Sequence, residues 1–151
     1  VHVGEPGLPR ARRRGQLGLG PRHARRAGDR QVVRLTLPEK NASSILAELD
    51  EMGLRCRRRV QSVLYGDTRN VHVEVETLEQ VAGDITRVGL VQAVGSGLGE
   101  SMRRVERLSL SLANQNIDVL SSGSEGDVAW WEVHRKDLDA AVRTVHSAAH
   151  L

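Results

Sequence analysis

The spacing of apolar residues changes period repeatedly along this chain, and each change marks an element. Val33, Leu35 and Leu37 alternate within Gln31 to Leu37, the signature of a half-buried strand, and Pro38 stops it. Asn41 is a good helix N-cap. Behind it Ile45, Leu46, Leu49 and Met52 fall on one helical face, and Gly53 stands where a C-cap belongs. Leu54 to Tyr65 returns as a long strand, and Gly66-Asp67-Thr68-Arg69-Asn70 has the composition of a hairpin turn. Val71, Val73 and Val75 alternate with polar residues in a further strand. Leu78, Val81, Ala82 and Ile85 then predict a second amphipathic helix that runs through Gly83. The predicted order is β-α-β-β-α.

The second half repeats that order with Leu90–Gly95, Met102–Ala113, Ile117–Ser121, Val128–His134 and Asp137–Ala149. Gly53-Leu54 corresponds to Asn116-Ile117 at an offset of 63, and Leu78 to Leu138 at an offset of 60. Two copies of one order at a near-constant spacing predict a tandem of similar small α+β modules. Only Val88 to Leu90 remain to join them.

Val94-Gly95-Ser96-Gly97-Leu98, then Leu112, then Asn116-Ile117-Asp118-Val119 give strand, glycine loop, helix and strand. This run resembles the second regulatory ACT domain of aspartate kinases, with its Gly-Ala-Gly-Met-like loop and Gly-Ile-Asn-hydrophobic strand. Asp137 to His146 resembles the closing helix of the same region, so the resemblance covers residues 31–151. It departs where Met102-Arg103 replaces the family's Pro-Gly, and again after Pro38-Glu39-Lys40, where a second Pro-Gly is missing. The implied fold is α+β, two ferredoxin-like (βαββα) ACT modules in tandem at 31–89 and 90–151, preceded by a disordered basic segment at 1–30.

The resemblance also implies a function without catalysis. Such modules bind a free amino acid between modules and bias a kinase domain, which this chain lacks. Carried over position by position, the effector loop falls on Glu39, Lys40, Asn41 and Ala42, and the facing strand on Cys56, Arg57 and Gln61. In the second copy the matching positions are Leu98, Met102, Asn116 and Asp118. A helix start suits the carboxylate of an amino acid, because it presents unpaired N–H groups and a partial positive charge. Arg57, flanked by Arg58 and Arg59, stands where relatives often place an acidic group, so threonine is expected in preference to lysine. Expected partners are a second copy of the chain or a separate kinase subunit. The competing expectation is an ACT-like dimerisation module that binds no effector, with its basic tail on nucleic acid.

Composition narrows these alternatives. Residues 1–30 hold eight Arg against Glu5 and Asp29, a net +6, which leaves 14 basic and 17 acidic groups in residues 31–151. The formal charge of +3 therefore hides an acidic body behind a basic tail. That tail contains three of the four prolines and no helical or strand period, as expected of a disordered segment. It also has no aromatic residue to stack on bases, which argues against nucleic acid. One cysteine, Cys56, excludes an intrachain disulfide and any Cys-clustered zinc site. No apolar run reaches the ~18 residues of a membrane span, and no signal-peptide pattern is visible, so a cytoplasmic chain is expected. Gly95-Ser96-Gly97-Leu98-Gly99 fits no phosphate-loop motif, and no serine or histidine sits in a catalytic setting, so neither cofactor nor metal is expected. His146 and His150 have the i, i+4 spacing of a metal-binding pair, but nothing in the sequence sets them apart from solvated helix histidines.

Overall fold

A computed structural model describes residues 1–6, 32–69, 71, 75–82 and 84–150. By its contacts the chain divides into two compact units, Ala11–Arg87 and Val1–Arg10 with Val88–Leu151.

In the unit of residues 11–87, strand β2 (Val32–Thr36) leads to helix α1 (Ala42–Glu51), a hairpin of β3 (Arg55–Val60) and β4 (Val63–Asp67), and helix α2 (Val75–Ala82). The strands are antiparallel in the order β3-β4-β2, with Leu35 opposite Leu64 and Val33 opposite Gly66. Alternation decides which face is buried. Val33, Leu35 and Leu37 point one way with Leu64, and they meet Leu49 of α1 and Leu78 of α2. Each leucine so buried contributes roughly 2 kcal/mol.

Strand β5 (Ile85–Val94), which begins three residues before the other unit, then α3 (Met102–Asn114), β6 (Val119–Glu125), β7 (Val128–Val133) and α4 (Leu138–Ala149) follow the same order. That unit's sheet runs β1-β5-β7-β6, all antiparallel, where β1 is His2–Gly4. Ala129, Trp131 and Val133 alternate inward from β7 and meet Leu108 and Leu112 of α3 and Ala141, Val145 and Ala148 of α4.

The α+β, ferredoxin-like expectation holds, with four local corrections. The first hairpin turns at Gln61-Ser62, and Gly66 lies inside β4. Gly66 is a strand residue because Leu54 packs on it, its Cγ 2.9 Å from where a Cβ would stand. The strand expected over Val71 to Val75 lies partly outside the described residues, and Val75 opens α2. That helix ends at Ala82, before Gly83, and Ile85 begins the ten-residue β5, so the joining strand is long and continuous. Finally, residues 1–6 are ordered where a disordered tail was expected. His2 pairs with Val94 and Gly4 with Gln92, Val3 packs on the core, and Pro6 is buried. Three residues are too short for a period to be legible. The rest of the 1–30 segment lies outside the described residues.

The repeat inferred from the sequence has a structural counterpart. Gly53 and Asn116, 63 apart, both take positive φ (97° and 58°) at the turn after the first helix of each unit. A bulge follows at the same offset, around Arg57 in β3 and Leu120 in β6.

Candidate functional site

The two helix starts differ in a way that bears on ligand capture. Asn41 precedes α1 with φ 66°, a left-handed conformation unlike that of an ordinary N-cap, and its side chain makes no capping bond. The first turn of α1 holds no acidic residue, and exposed Lys40 stands beside it. Exposed Glu39 balances the charge of Lys40, and the helix start itself carries no side-chain cap.

The matching end of the other unit is already filled. Gly97 donates its N–H to Asp127 Oδ1 at 2.8 Å, and Gly95 donates to the Asp127 carbonyl at 2.9 Å. Glu100 accepts from the Gly126 N–H at 3.0 Å, and Ser101 caps α3 by accepting from Arg104 N–H at 3.3 Å. A Cβ on Gly99 would lie 2.4 Å from the Val128 carbonyl oxygen, so the loop is pressed against the β6–β7 turn. The glycine loop is thus bound to the protein's own carboxylates, which disfavours an incoming anion.

Strand β3 carries the next set of candidates. Arg57 donates to Asp67 Oδ2 at 3.2 Å, and Arg69 reaches the same oxygen at 3.6 Å while its N–H donates to Oδ1 at 2.8 Å. Asp67 is buried, so its charge is matched by two guanidinium groups and a backbone N–H. Arg57 is therefore already paired. Cys56 is solvent-accessible, yet partial burial of its thiol raises the pKa above the ordinary value, against the opposing pull of Arg59. Gln61 forms the hairpin turn at φ 54°, and its carbonyl accepts from Arg59 Nε at 3.1 Å.

The second-copy candidates separate. Leu98 is buried in the core. Met102 is 82 % exposed and borders a cavity of about 500 Å³ with Glu100, Val105, Glu106 and Ser124. Asn116 and Asp118 instead border a cavity of about 430 Å³ between α3 and β6, whose floor is Trp131. There the Trp131 Nε1–H donates to Ser109 Oγ at 2.9 Å, and Ser122 lines the opposite side. This cavity combines a carboxylate, an amide and two hydroxyls, which is the chemistry that holds an ammonium or a hydroxyl. Lys40, Asn41 and Ala42 do stand together, as do Asn116 and Asp118.

Sequence reasoning missed Asp67 and Asp127. Asp67 lay in a segment read as a turn. Asp127 acts on a loop 30 residues away, and no local pattern reveals such a contact. Among the described residues no three His, Cys, Asp or Glu side chains gather as a metal site, and no helix is long and apolar enough to cross a membrane.

No protein-family model matches the chain, and no curated protein does. Solved structures do match in fold. The regulatory subunit of aspartate kinase from Thermus flavus superposes with a TM-score of 0.56 at 15% identity, over 79% of this chain and 91% of that one. The ligand-free regulatory subunit from Thermus thermophilus gives 0.56 at 16% identity, over 79% and 90%. E. coli aspartokinase III in complex with lysine and aspartate gives 0.55 at 13% identity, over 81% of this chain but 31% of the enzyme. The chain has the fold of these regulatory subunits along nearly their whole length.

Proposed function

We propose that this chain is a regulatory, non-catalytic piece of an aspartate kinase that senses a free amino acid, and that the start of α1 receives the ligand's carboxylate. The observation that carries the reading is the contrast between helix starts: α1 has no side-chain cap and no acidic residue in its first turn, with Lys40 just before it, whereas the corresponding loop before α3 is filled by Asp127. An anion at an exposed helix start gains about 0.3–1 kcal/mol from the aligned peptide dipoles, so capture needs further contacts, and millimolar affinity is the expected scale. Asn116 and Asp118 are proposed as a separate second-copy site within the other unit, with Asp118 suited to an ammonium.

Threonine is the proposed effector in preference to lysine. Asp67 answers the charge of Arg57, but Arg55, Arg58 and Arg59 line the same strand, and a second ammonium on the ligand meets their field. A second copy of the chain or a kinase catalytic subunit is the proposed partner.

Heteronuclear NMR of the full chain with threonine, lysine, aspartate and glycine tests the reading. Threonine at millimolar concentration should shift the amides of Asn41 to Ser44. Shifts confined to Asn116–Val119 would move the site to the second unit. No shift with any amino acid would favour an ACT-like dimerisation module without an effector.

A further inference from the structure

Helix α4 buries Ala141, Val145 and Ala148, while His146 on the helix and His150 at its C-cap are exposed to solvent. His150 is the C-cap residue. Its φ of −104° and ψ of 11° depart only moderately from helical values, so it stays nearly one turn above His146. The two imidazole Nε2 atoms come within 3.1 Å of each other, and the rings meet edge-on with centroids 4.3 Å apart and planes at 88°. Two nitrogens at that distance either share one proton or share one metal ion.

We propose that His146 and His150 form a two-imidazole clamp for a divalent transition metal. The geometry sets the class of ion. Metal–imidazole bonds of about 2.0–2.1 Å that span the 3.1 Å gap subtend an angle of about 98° at the metal. That angle lies between the cis angle of an octahedral or square-planar site and the tetrahedral angle, so Ni²⁺, Cu²⁺ and Zn²⁺ fit. Mg²⁺ and Ca²⁺ do not, because they take oxygen ligands. The location helps, since the carbonyl end of a helix carries partial negative charge that favours a cation within the last turn. Nearby, Arg107 donates to the Ala148 carbonyl at 3.4 Å, which anchors this turn to α3. No third His, Cys, Asp or Glu joins the pair among the described residues, so the remaining coordination positions are open to water or to an external ligand. Two ligands give a micromolar site, weaker than a closed structural zinc site.

Isothermal titration of the full chain with Ni²⁺ and, in a separate arm, Zn²⁺ tests the clamp. One ion per chain should bind to the His2→Ala variant, which removes a histidine remote in sequence from the pair. Affinity should fall at least tenfold in H146A and in H150A, and remain unchanged in H134A. Both rings are exposed, so these substitutions leave the core intact, and far-ultraviolet circular dichroism confirms that the variants fold. As an independent readout, Ni²⁺ should raise the thermal midpoint of the parent chain by several degrees and leave that of H146A/H150A where it was. Equal binding by the parent and H146A/H150A overturns the proposal, as does an absence of binding at 1 mM ion.

Discussion

Buried Asp67 pairs with Arg57 on a strand that also carries Arg55, Arg58 and Arg59, so this carboxylate matters to the electrostatics of β3. Asp67→Ala should destabilise the unit of residues 11–87 by about 2 kcal/mol, below the usual cost of breaking a buried pair because Arg57 keeps partial access to water. Denaturant melts that leave this variant as stable as the parent would show that the pair contributes nothing. Cys56 gives a pH-dependent readout of the same strand. Burial holds its thiol above the ordinary pKa and Arg59 opposes that shift, so modification by a thiolate-requiring reagent at pH 8 should be slower than for free cysteine. Removing the opposing charge in Arg59→Ala should slow it further; a faster reaction would contradict the sign. The tryptophans show how much one residue's neighbours say about its role. Adjacent strand residues must point to opposite faces; alternation alone does not decide between the two tryptophans, and Trp131, in register with Val133, lies fully buried in the core. The fate of Trp130 was not legible, because it depends on Gly123 of a neighbouring strand, over which the indole lies. With both buried, Trp130→Ala and Trp131→Ala should each cost about 3–5 kcal/mol.

The elements read most clearly were those whose signals were local. Met102–Asn114 and Leu138–Ala149 appear where apolar residues recur at helical spacing, and the 63-residue offset returns as matched positive-φ turns and matched bulges. The first hairpin was misplaced for a physical reason. Gly66-Asp67-Thr68-Arg69-Asn70 has ideal turn chemistry, yet its glycine serves the close approach of Leu54, and Gln61 makes the turn in a left-handed conformation that its residue type does not advertise. The start of α1 after Asn41 was legible from Pro38 and Asn41, although the Asn41 side chain makes no cap. The filling of the other loop by Asp127 was not, since it is a contact between distant segments. That packing makes Gly99 sensitive: Gly99→Ala would press a methyl group into the Val128 and Glu125 backbone and should cost on the order of 2–3 kcal/mol. Strand β1 makes a similar demand. It supplies ladder bonds to β5 and places Val3 on the core, so removing residues 1–6 should lower the thermal midpoint by about 5–10 °C. An unchanged midpoint would mean that β1 does not hold in solution.

At the scale of the molecule, β3 ends one unit's sheet and β6 one end of the other's, neither with a further partner strand among the described residues, and the two edges differ in character. Strand β3 presents four arginines, and two such strands laid side by side would set like charges opposite one another, which opposes pairing. Strand β6 carries no basic residue, is exposed along most of its length, and keeps Val119 and Leu120 38 % and 43 % accessible. Small units with open edges and exposed apolar residues favour self-association, and the charge distribution predicts β6 rather than β3 as the pairing edge. Two β6 strands related by a twofold axis would run antiparallel and extend the ladder from one chain into the next. Sedimentation velocity at tens of micromolar should show a monomer–dimer equilibrium, and Leu120→Lys should shift it to monomer by placing a charge in the pairing edge. Arg58→Glu with Arg59→Glu should leave it unchanged. A dimer that survives Leu120→Lys but is altered by the glutamate pair would transfer the interface to β3, and a monomer at every concentration would remove self-association from the account altogether.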